Sequence, residues 1–273
     1  MNDIVNAGLK VLQSASVEDK VEAAHQLYSK IRKSKHIDSW NITLPDSPAR
    51  PEFPKLVSPS DVPRRRLGSE KGRAALLHAI AHIELNAIDL AVDMLCRFGN
   101  SELLSPEDRH QFVLGWVKVA QDEARHFTML QNHLMTIGYQ YGDFPAHNGL
   151  WQAALSTKDN FAARLAIAPM VLEARGLDVT PGMIEKLRGH GDNKSCEILT
   201  IIYQEEIEHV ALGSKWFHHI CAKLGKKPEI YFQTLVRSYF KGKLKCPFNH
   251  LARTQADMPE SYYTPLVLSL IHI

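Results

Sequence analysis

Two segments of the chain carry the pattern Glu-x-x-His: Glu123 with His126, and Glu206 with His209. Residues three apart on a helix share a face, so the carboxylate and the imidazole of each pair can reach one metal ion. Oxygen and nitrogen ligands of this kind suit iron or manganese better than a metal that prefers thiolates. The pattern therefore predicts a metal site built from helical side chains.

Spacing alone does not identify the site, because two further Glu-x-x-His pairs occur, Glu22 with His25 and Glu107 with His110. Glu22 lies on a mostly solvated helical face, and Glu107 lies in a first helical turn, where the helix dipole favours an acid. The first two pairs instead sit within apolar stripes. A carboxylate in such a stripe is costly unless it is paired or bound to metal. We therefore interpret the two additional pairs as surface features.

Two single acids, Glu84 and Glu173, also lie in apolar helical stripes. Each precedes one of the Glu-x-x-His pairs, so one pattern occurs twice along the chain. This order matches the ferritin-like layout for two metal ions, in which two helices each give a Glu and two each give Glu-x-x-His. The predicted metal ligands are Glu84, Glu123, His126, Glu173, Glu206 and His209.

Four further acids occupy equivalent positions in the two copies of this pattern. Asp122 and Glu205 directly precede the Glu-x-x-His pairs, and Asp89 and Asp178 follow Glu84 and Glu173 by five residues. A histidine bound to metal usually donates its other N–H to a carboxylate. These acids are candidates for that role, with solvent-facing positions as the alternative. Trp116, Met170 and Tyr203 lie near the ligand stripes and are candidates to line a substrate pocket, although core packing is the commoner role. His78 and His82 are interpreted as packing or surface histidines.

The elements that must position these side chains read as helices, and strand-like alternation is scarce. Long helical patterns begin near residue 69 and at Ser105-Pro106, and another runs from about 193 to 224. A further pattern, which precedes the last of these along the chain, is interrupted or kinked at Pro169 and ends before Pro181, which is predicted to start a shorter helix. The predicted class is all-α, a ferritin-like four-helix bundle with extensions.

Four segments follow from these patterns. We predict an N-terminal helical segment (1–38), a Pro-rich extended arm (39–68), a bundle that holds two metal ions (69–225), and a C-terminal helix with an irregular tail (226–273).

Composition narrows the class of protein. Hydrophobic residues make up 45% and charged residues 23% of the 273 residues, as in ordinary globular proteins. The net charge of +2 gives no strong case for nucleic acid or membrane as the main partner. The four cysteines form no Cys-x-x-Cys pair, so reduced thiols are expected. With neither a signal peptide nor a long apolar run, we expect a cytoplasmic protein without membrane spans.

At the level of whole segments the chain resembles the ferritin-like family called domain of unknown function 455. The likeness rests on GSEKGRAALLHAIAHIELNAIDLAVD, DEARHF, APMVLEARGLDVTPGM, EEIEHV and PFNHLARTQADMPESYY, and covers about residues 40–263. The resemblance implies a di-metal carboxylate bundle and assigns the ligand roles to the six residues named above. It implies no substrate.

The leading hypothesis is an oxygen-dependent oxidase or monooxygenase with two metal ions, iron first, or manganese, or one of each. Such an enzyme needs a small-molecule substrate, dioxygen and an electron donor. Iron oxidation and handling is one alternative. Hydroxylation of tRNA is another, weakly supported by the lysines 226, 227, 241, 243 and 245. A metal-free helical interaction protein is the remaining alternative.

Overall fold

A computed structural model describes residues 3–63 and 65–268, and it confirms the all-α class. No β-strand occurs in that part of the chain; the nearest feature is one isolated parallel bridge between Leu56 and Ala146. Residues 1–2, 64 and 269–273 lie outside the described residues.

The three longest helices lie where the sequence predicts them. Their bounds are α1 Asp3–Gln13, α2 Val17–Ile31, α3 Glu70–Phe98, α4 Pro106–Thr136, α5 Gly149–Ser156, α6 Phe161–Ile167, α7 Ala174–Gly189, α8 Asn193–Leu224, α9 Pro228–Tyr239, α10 His250–Gln255 and α11 Thr264–Leu268. A π-helical segment, Ala168–Glu173, connects α6 to α7, and a short 3-10 turn occupies Pro59–Asp61.

Side-chain caps explain where several of these helices begin. The hydroxyls of Ser16 and Ser69 accept hydrogen bonds from backbone N–H groups three residues on. Ser105 forms a full capping box with Asp108, followed by Pro106 at the first helical position. Local sequence therefore sets the starts of α2, α3 and α4.

The chain divides into two compact units, described separately. Unit 1 comprises Met1–Trp151 and Lys186–Ile198, and unit 2 comprises Gln152–Glu185 and Leu199–Ile273. The division of the sequence into four functional segments stays a prediction.

Unit 1 is organised around α3 and α4, which pack against each other along much of their length. Helix α2 packs on α4, and α1 packs on α2 and α3. Helix α3 is long and apolar enough to cross a membrane by length and composition, yet 83% of its most apolar window is buried inside the protein. That burial is typical of a core helix, and burial of each of its large aliphatic side chains contributes about 1.5–3 kcal/mol.

Unit 2 places α6 against α9 and against the π-helical segment. Its core contains large aromatic side chains that are almost completely buried, among them Trp216, Phe217 and Phe232. Gly213 of α8 lies directly against the ring of Pro169, and a Cβ atom at position 213 would overlap that ring. The glycine thus permits close approach between α8 and the π-helical segment.

The prediction that Pro181 starts a new helix is wrong, because α7 continues through it. A proline inside a helix leaves the carbonyl four residues earlier without its helical donor. Here that carbonyl belongs to Leu177, and it accepts a hydrogen bond of 3.2 Å from Nδ2 of Asn249. A side chain distant in sequence therefore compensates for the break.

The Pro-rich segment is irregular, and it is fixed to unit 1 at several points. The indole of Trp40 donates to the carbonyl of Cys96, and the indole of Trp151 donates to the carbonyl of Asp46. The backbone N–H of Ala49 donates to the carbonyl of Leu12. The arm is thus part of the folded unit and not a loose linker.

One buried ion pair ties an extension to the core in each unit. In unit 1, Nζ of Lys20 lies 2.5 Å from Oδ1 of Asp89, and both side chains are at most 3% exposed. In unit 2, the guanidinium of Arg253 makes two hydrogen bonds of 2.8 and 2.7 Å to Asp178, with both side chains at most 2% exposed. These cations come from α2 and α10, outside the long core helices.

Removal of either buried cation is expected to destabilise the protein strongly, because an uncompensated carboxylate would remain in the interior. Lys20→Met and Arg253→Met should each lower the free energy of unfolding by about 3–5 kcal/mol. Urea denaturation at pH 7, followed by circular dichroism, measures the loss.

Lys118→Met is the matched control, since Lys118 pairs with Asp122 at 2.6 Å but its side chain is 52% exposed. An exposed pair of this kind contributes at most about 1 kcal/mol. Equal losses in all three variants would show that burial does not determine the contribution of these pairs.

Two buried histidines of α3 anchor the connection after α4. His78 accepts a hydrogen bond of 2.9 Å from the backbone N–H of Gly142. His82 lies with Nε2 3.2 Å from the carbonyl of His147, so Nε2 donates and Nδ1 accepts from the hydroxyl of Tyr141 at 2.7 Å. Burial lowers the pKa of each histidine to about 4, so both are neutral at pH 7. They are packing residues, in agreement with the sequence interpretation.

These histidines should make the protein less stable in acid. Their unfolded pKa is about 6.5, so as the pH falls from there towards 4 the unfolded chain binds protons that the folded chain does not. Between pH 7 and pH 5, each histidine should lower the free energy of unfolding by about 2 kcal/mol. Denaturation of the wild type and of His78→Gln/His82→Gln at both pH values measures this contribution.

The double variant is needed because Asp89 also titrates in this pH range. Burial raises the pKa of Asp89 to about 6, so protonation of this carboxylate favours the folded state as the pH falls. The exposed residue His36 supplies the control variant, His36→Gln. An unchanged pH dependence in the double variant would contradict the assignment of the acid sensitivity to His78 and His82.

Candidate metal site

Helices α3 and α4 bring three of the predicted ligands together inside unit 1. Nδ1 of His126 lies 3.0 Å from Oε2 of Glu84 and 3.6 Å from Oε2 of Glu123. All three side chains are at most 4% exposed. Each offers a ligand atom, and these atoms lie within 4.8 Å of one another, a separation that one bound ion could span.

Unit 2 carries the second copy of the pattern. Glu206 and His209 lie one turn apart on α8, with Oε1 of Glu206 3.7 Å from Nδ1 of His209, and both are buried. Glu173 is the last residue of the π-helical segment and is half-buried. Both predicted helical patterns therefore place their Glu and His side chains on inward faces.

Glu173 lies in a π-helical turn and not in a regular α-helix. The sequence predicts an interruption at Pro169, and the structure shows its form, a widened turn over Ala168–Glu173. Such turns add a residue to a helix and occur frequently at functional sites. The close contact between Pro169 and Gly213 holds this turn against α8.

Glu84, Glu123 and His126 form a buried group within unit 1 that could hold a metal ion. Burial of several carboxylates together is unfavourable unless positive charge compensates them. Carboxylate oxygen and imidazole nitrogen are ligands of iron, manganese and zinc, so the donor set fits a divalent metal without selecting one. The chemistry of the residues present therefore fits a metal cofactor.

The additional acids have partners of their own in the structure. Asp122 lies 2.6 Å from Nζ of Lys118, Asp89 pairs with Lys20, and Asp178 pairs with Arg253. Glu205 is half-buried on α8. A role for these four acids in orienting the histidines stays a prediction.

The candidate pocket residues differ in their surroundings. Trp116 and Met170 are almost completely buried, and the ring of Trp116 packs edge-on against Phe112. The hydroxyl of Tyr203 accepts a hydrogen bond of 2.9 Å from Asn249. Whether any of the three contacts a substrate stays a prediction.

The two additional Glu-x-x-His pairs lie elsewhere in unit 1. Glu22 is exposed and accepts a hydrogen bond from Gln26. Glu107 is exposed in the first turn of α4, and His110 lies 2.9 Å from the carbonyl of Ser34. Both glutamates therefore occupy the solvated positions that the sequence predicts.

Sequence reasoning missed the buried cations. For Lys20 a signal was present, since it occupies the apolar stripe of α2 between Val17 and Ala24, where a charged side chain needs a buried partner. For Arg253 no comparable signal exists, because α10 has only six residues.

Comparison with known proteins gives a family without an assigned activity. Residues 13–264 match the model described as "Protein of unknown function (DUF455)". An uncharacterized protein of Haemophilus influenzae is 42% identical over 254 residues, which cover 91% of this chain and 88% of the relative. No solved structure matches significantly. The resemblance predicted from the sequence is thus confirmed for the family, and the chain belongs to the DUF455 proteins.

Proposed function

We propose that this protein is a non-haem di-metal carboxylate enzyme of the ferritin-like type, with iron as the first candidate metal. The observation that carries the proposal is the buried group of Glu84, Glu123 and His126 in unit 1. Glu173, Glu206 and His209 complete the proposed ligand set, because they occupy the corresponding positions in the second copy of the sequence pattern.

The surroundings of the proposed ligands favour redox chemistry away from solvent. Glu123 and His126 are at most 1% exposed, and apolar side chains such as Val119 and Leu130 flank them on α4. Buried surroundings exclude water and hold the ligands without large rearrangement. Two bound iron ions would supply electrons to dioxygen, for hydroxylation or dehydrogenation of a small substrate. We propose an oxidase or monooxygenase that receives electrons from a separate donor.

Metal content is the first test. After anaerobic loading with ferrous iron and desalting, the full chain should retain about two ions per molecule. Glu123→Ala and Glu206→Ala should retain fewer ions, because each removes a buried ligand. Elemental analysis of the desalted protein measures this, and admission of air should then cause oxygen uptake by the loaded wild type.

Glu22→Ala is the matched control, since it removes a glutamate of the same local pattern from an exposed helical face. Glu123→Gln keeps the shape of the side chain, and circular dichroism verifies that it folds. Equal metal content in wild type, Glu123→Gln and Glu22→Ala, or no bound metal in the wild type, would overturn the proposal. Accumulation of many ions per chain with a cage-sized assembly would favour iron storage instead.

A second candidate function, modification of RNA, is supported by a cavity of about 210 Å³ in unit 2. Its wall includes Arg175, Lys243 and Lys245 together with the rings of Phe240 and Phe248. Cations that neutralise phosphates and aromatic rings on which bases stack are the usual elements of single-strand recognition.

If RNA is the substrate, Lys243→Glu/Lys245→Glu should weaken binding of a single-stranded RNA and reduce the salt dependence of its affinity. Fluorescence anisotropy at several salt concentrations measures both. Lys33→Glu/Lys35→Glu, two exposed lysines of unit 1, is the control. No binding by the wild type at low salt, or equal effects of the two double variants, would contradict this candidate.

A further inference from the structure

The positive charge of the chain is concentrated in one part of unit 2. Residues 209–256 contain nine lysines and arginines but a single acid, Glu229, whereas the rest of the chain contains more acids than lysines and arginines. The net charge of +2 therefore conceals a strongly basic segment. Within this segment, residues 222–230 join the end of α8 to the start of α9, and we call them the α8–α9 corner.

Local hydrogen bonds fix the shape of the α8–α9 corner. The N–H of Lys226 donates to the carbonyl of Cys221 at 2.9 Å. The N–H of Gly225 donates to the carbonyl of Ala222 at 3.3 Å. Because Gly225 adopts a left-handed conformation with φ of 63°, these bonds form the Schellman motif that ends α8. Pro228 then occupies the first turn of α9, so the corner is a defined surface between two helices.

The outer side of the corner carries cations that no acid neutralises. Lys223, Lys226 and Lys227 are exposed, and Arg237 is exposed further along α9. No ion pair joins these four side chains to an acid within the described residues. Nζ of Lys226 lies 5.9 Å from the centre of the Tyr231 ring, a contact that positions the ammonium group and keeps its charge. The one acid of the segment is half-buried, so positive charge dominates the exposed side.

Two large aliphatic side chains lie exposed among these cations. Leu224 is 40% exposed and Ile230 is 61% exposed. The opposite side of α9 belongs to the core of unit 2, where the buried ring of Phe232 packs edge-on against that of Phe217, with 6.1 Å between the ring centres. Leu224 and Ile230 take no part in that core. Removal of their exposed surface from water would therefore add hydrophobic free energy to any contact made by the cations.

Lysines around exposed aliphatic side chains suit an anionic bilayer better than another polyanion. Lysine binds a phosphate as a point charge without a fixed geometry, which suits a fluid layer of lipid headgroups. The cores of protein–protein interfaces are depleted in lysine. Single-stranded nucleic acids are bound through cations at their phosphates and aromatic rings at their bases, and aliphatic side chains contribute little to either contact.

We propose that unit 2 binds the surface of anionic phospholipid bilayers through the α8–α9 corner. Lys223, Lys226 and Lys227 contact the anionic headgroups, and Leu224 and Ile230 enter the boundary between the headgroups and the acyl chains. Binding through a few lysines and two aliphatic side chains is peripheral and reversible, and salt weakens it. It does not depend on the metal or on the reaction proposed above.

Sedimentation of the full chain with lipid vesicles tests the proposal. Vesicles of phosphatidylcholine with roughly a third phosphatidylserine should bind the protein, and added salt should weaken this binding. Vesicles of phosphatidylcholine alone should bind at least about tenfold more weakly. Lys223→Gln/Lys226→Gln/Lys227→Gln should weaken binding to the anionic vesicles about 100-fold, since each lysine near such a surface contributes about fivefold.

Lys33→Gln/Lys35→Gln/Lys71→Gln is the matched control for charge, because it removes the same net charge from three exposed lysines of unit 1. This variant should bind the anionic vesicles within about twofold of the wild type. Equal losses in the two triple variants would show that net charge and not the α8–α9 corner determines binding, and the proposal would then be wrong.

The aliphatic side chains distinguish a bilayer from other anionic partners. Leu224→Ser/Ile230→Ser should weaken binding to the anionic vesicles about tenfold. Leu56→Ser/Met135→Ser, which changes side chains of unit 1 that are 44% and 53% exposed, is its control and should not weaken binding.

Three results would overturn the proposal: no binding to the anionic vesicles, equal binding to the neutral ones, or full binding by Leu224→Ser/Ile230→Ser. The last result would mean that charge alone holds the protein, as expected for a nucleic acid or an acidic protein. Metal content should equal that of the wild type in every variant, so this test and the test of the metal site can fail independently.

Discussion

Charge burial is the constraint on which this structure depends. A carboxylate buried between helices loses its hydration. A cation, a hydrogen-bond donor or a metal ion must compensate the free energy of hydration that is lost. Unit 1 buries Glu84, Asp89, Asp93 and Glu123 on or between two helices. Arg97 and Lys20 compensate Asp93 and Asp89 directly. Glu84 and Glu123 lie within 3.6 Å of the imidazole of His126, and this donor set could also hold a metal ion.

The two ion pairs that join the extensions to the core follow the repeated pattern of the sequence. Asp89 follows Glu84 by the same interval as Asp178 follows Glu173, and each aspartate holds a buried cation from outside the long helices. In unit 1 that cation is Lys20 of α2, and in unit 2 it is Arg253 of α10. These acids, first interpreted as candidates to orient the histidines, thus have a structural role that is visible in the contacts. The extensions are components of each unit and not appendages.

The Pro-rich arm is likewise a component of unit 1. Its backbone hydrogen bonds and the indoles of Trp40 and Trp151 attach it firmly, which is a structural role. At the same time it holds Arg50 over α3 with a buried nitrogen that the described residues leave unsatisfied.

The sequence by itself determined the helical class, the starts of α2, α3 and α4, and the order of the glutamates and histidines on inward faces. These features are local. A cap depends on neighbouring residues, and the period of the apolar residues along a helix indicates which of its faces is buried. Tertiary structure decided which charges meet. Lys20 and Asp89 are 69 residues apart in sequence, and Arg253 and Asp178 are 75 apart, distances over which periodicity carries no information. Continuation of α7 through Pro181 was decided in the same way, because the donor that satisfies Leu177 is Asn249, which only the packing of a remote segment brings to that carbonyl.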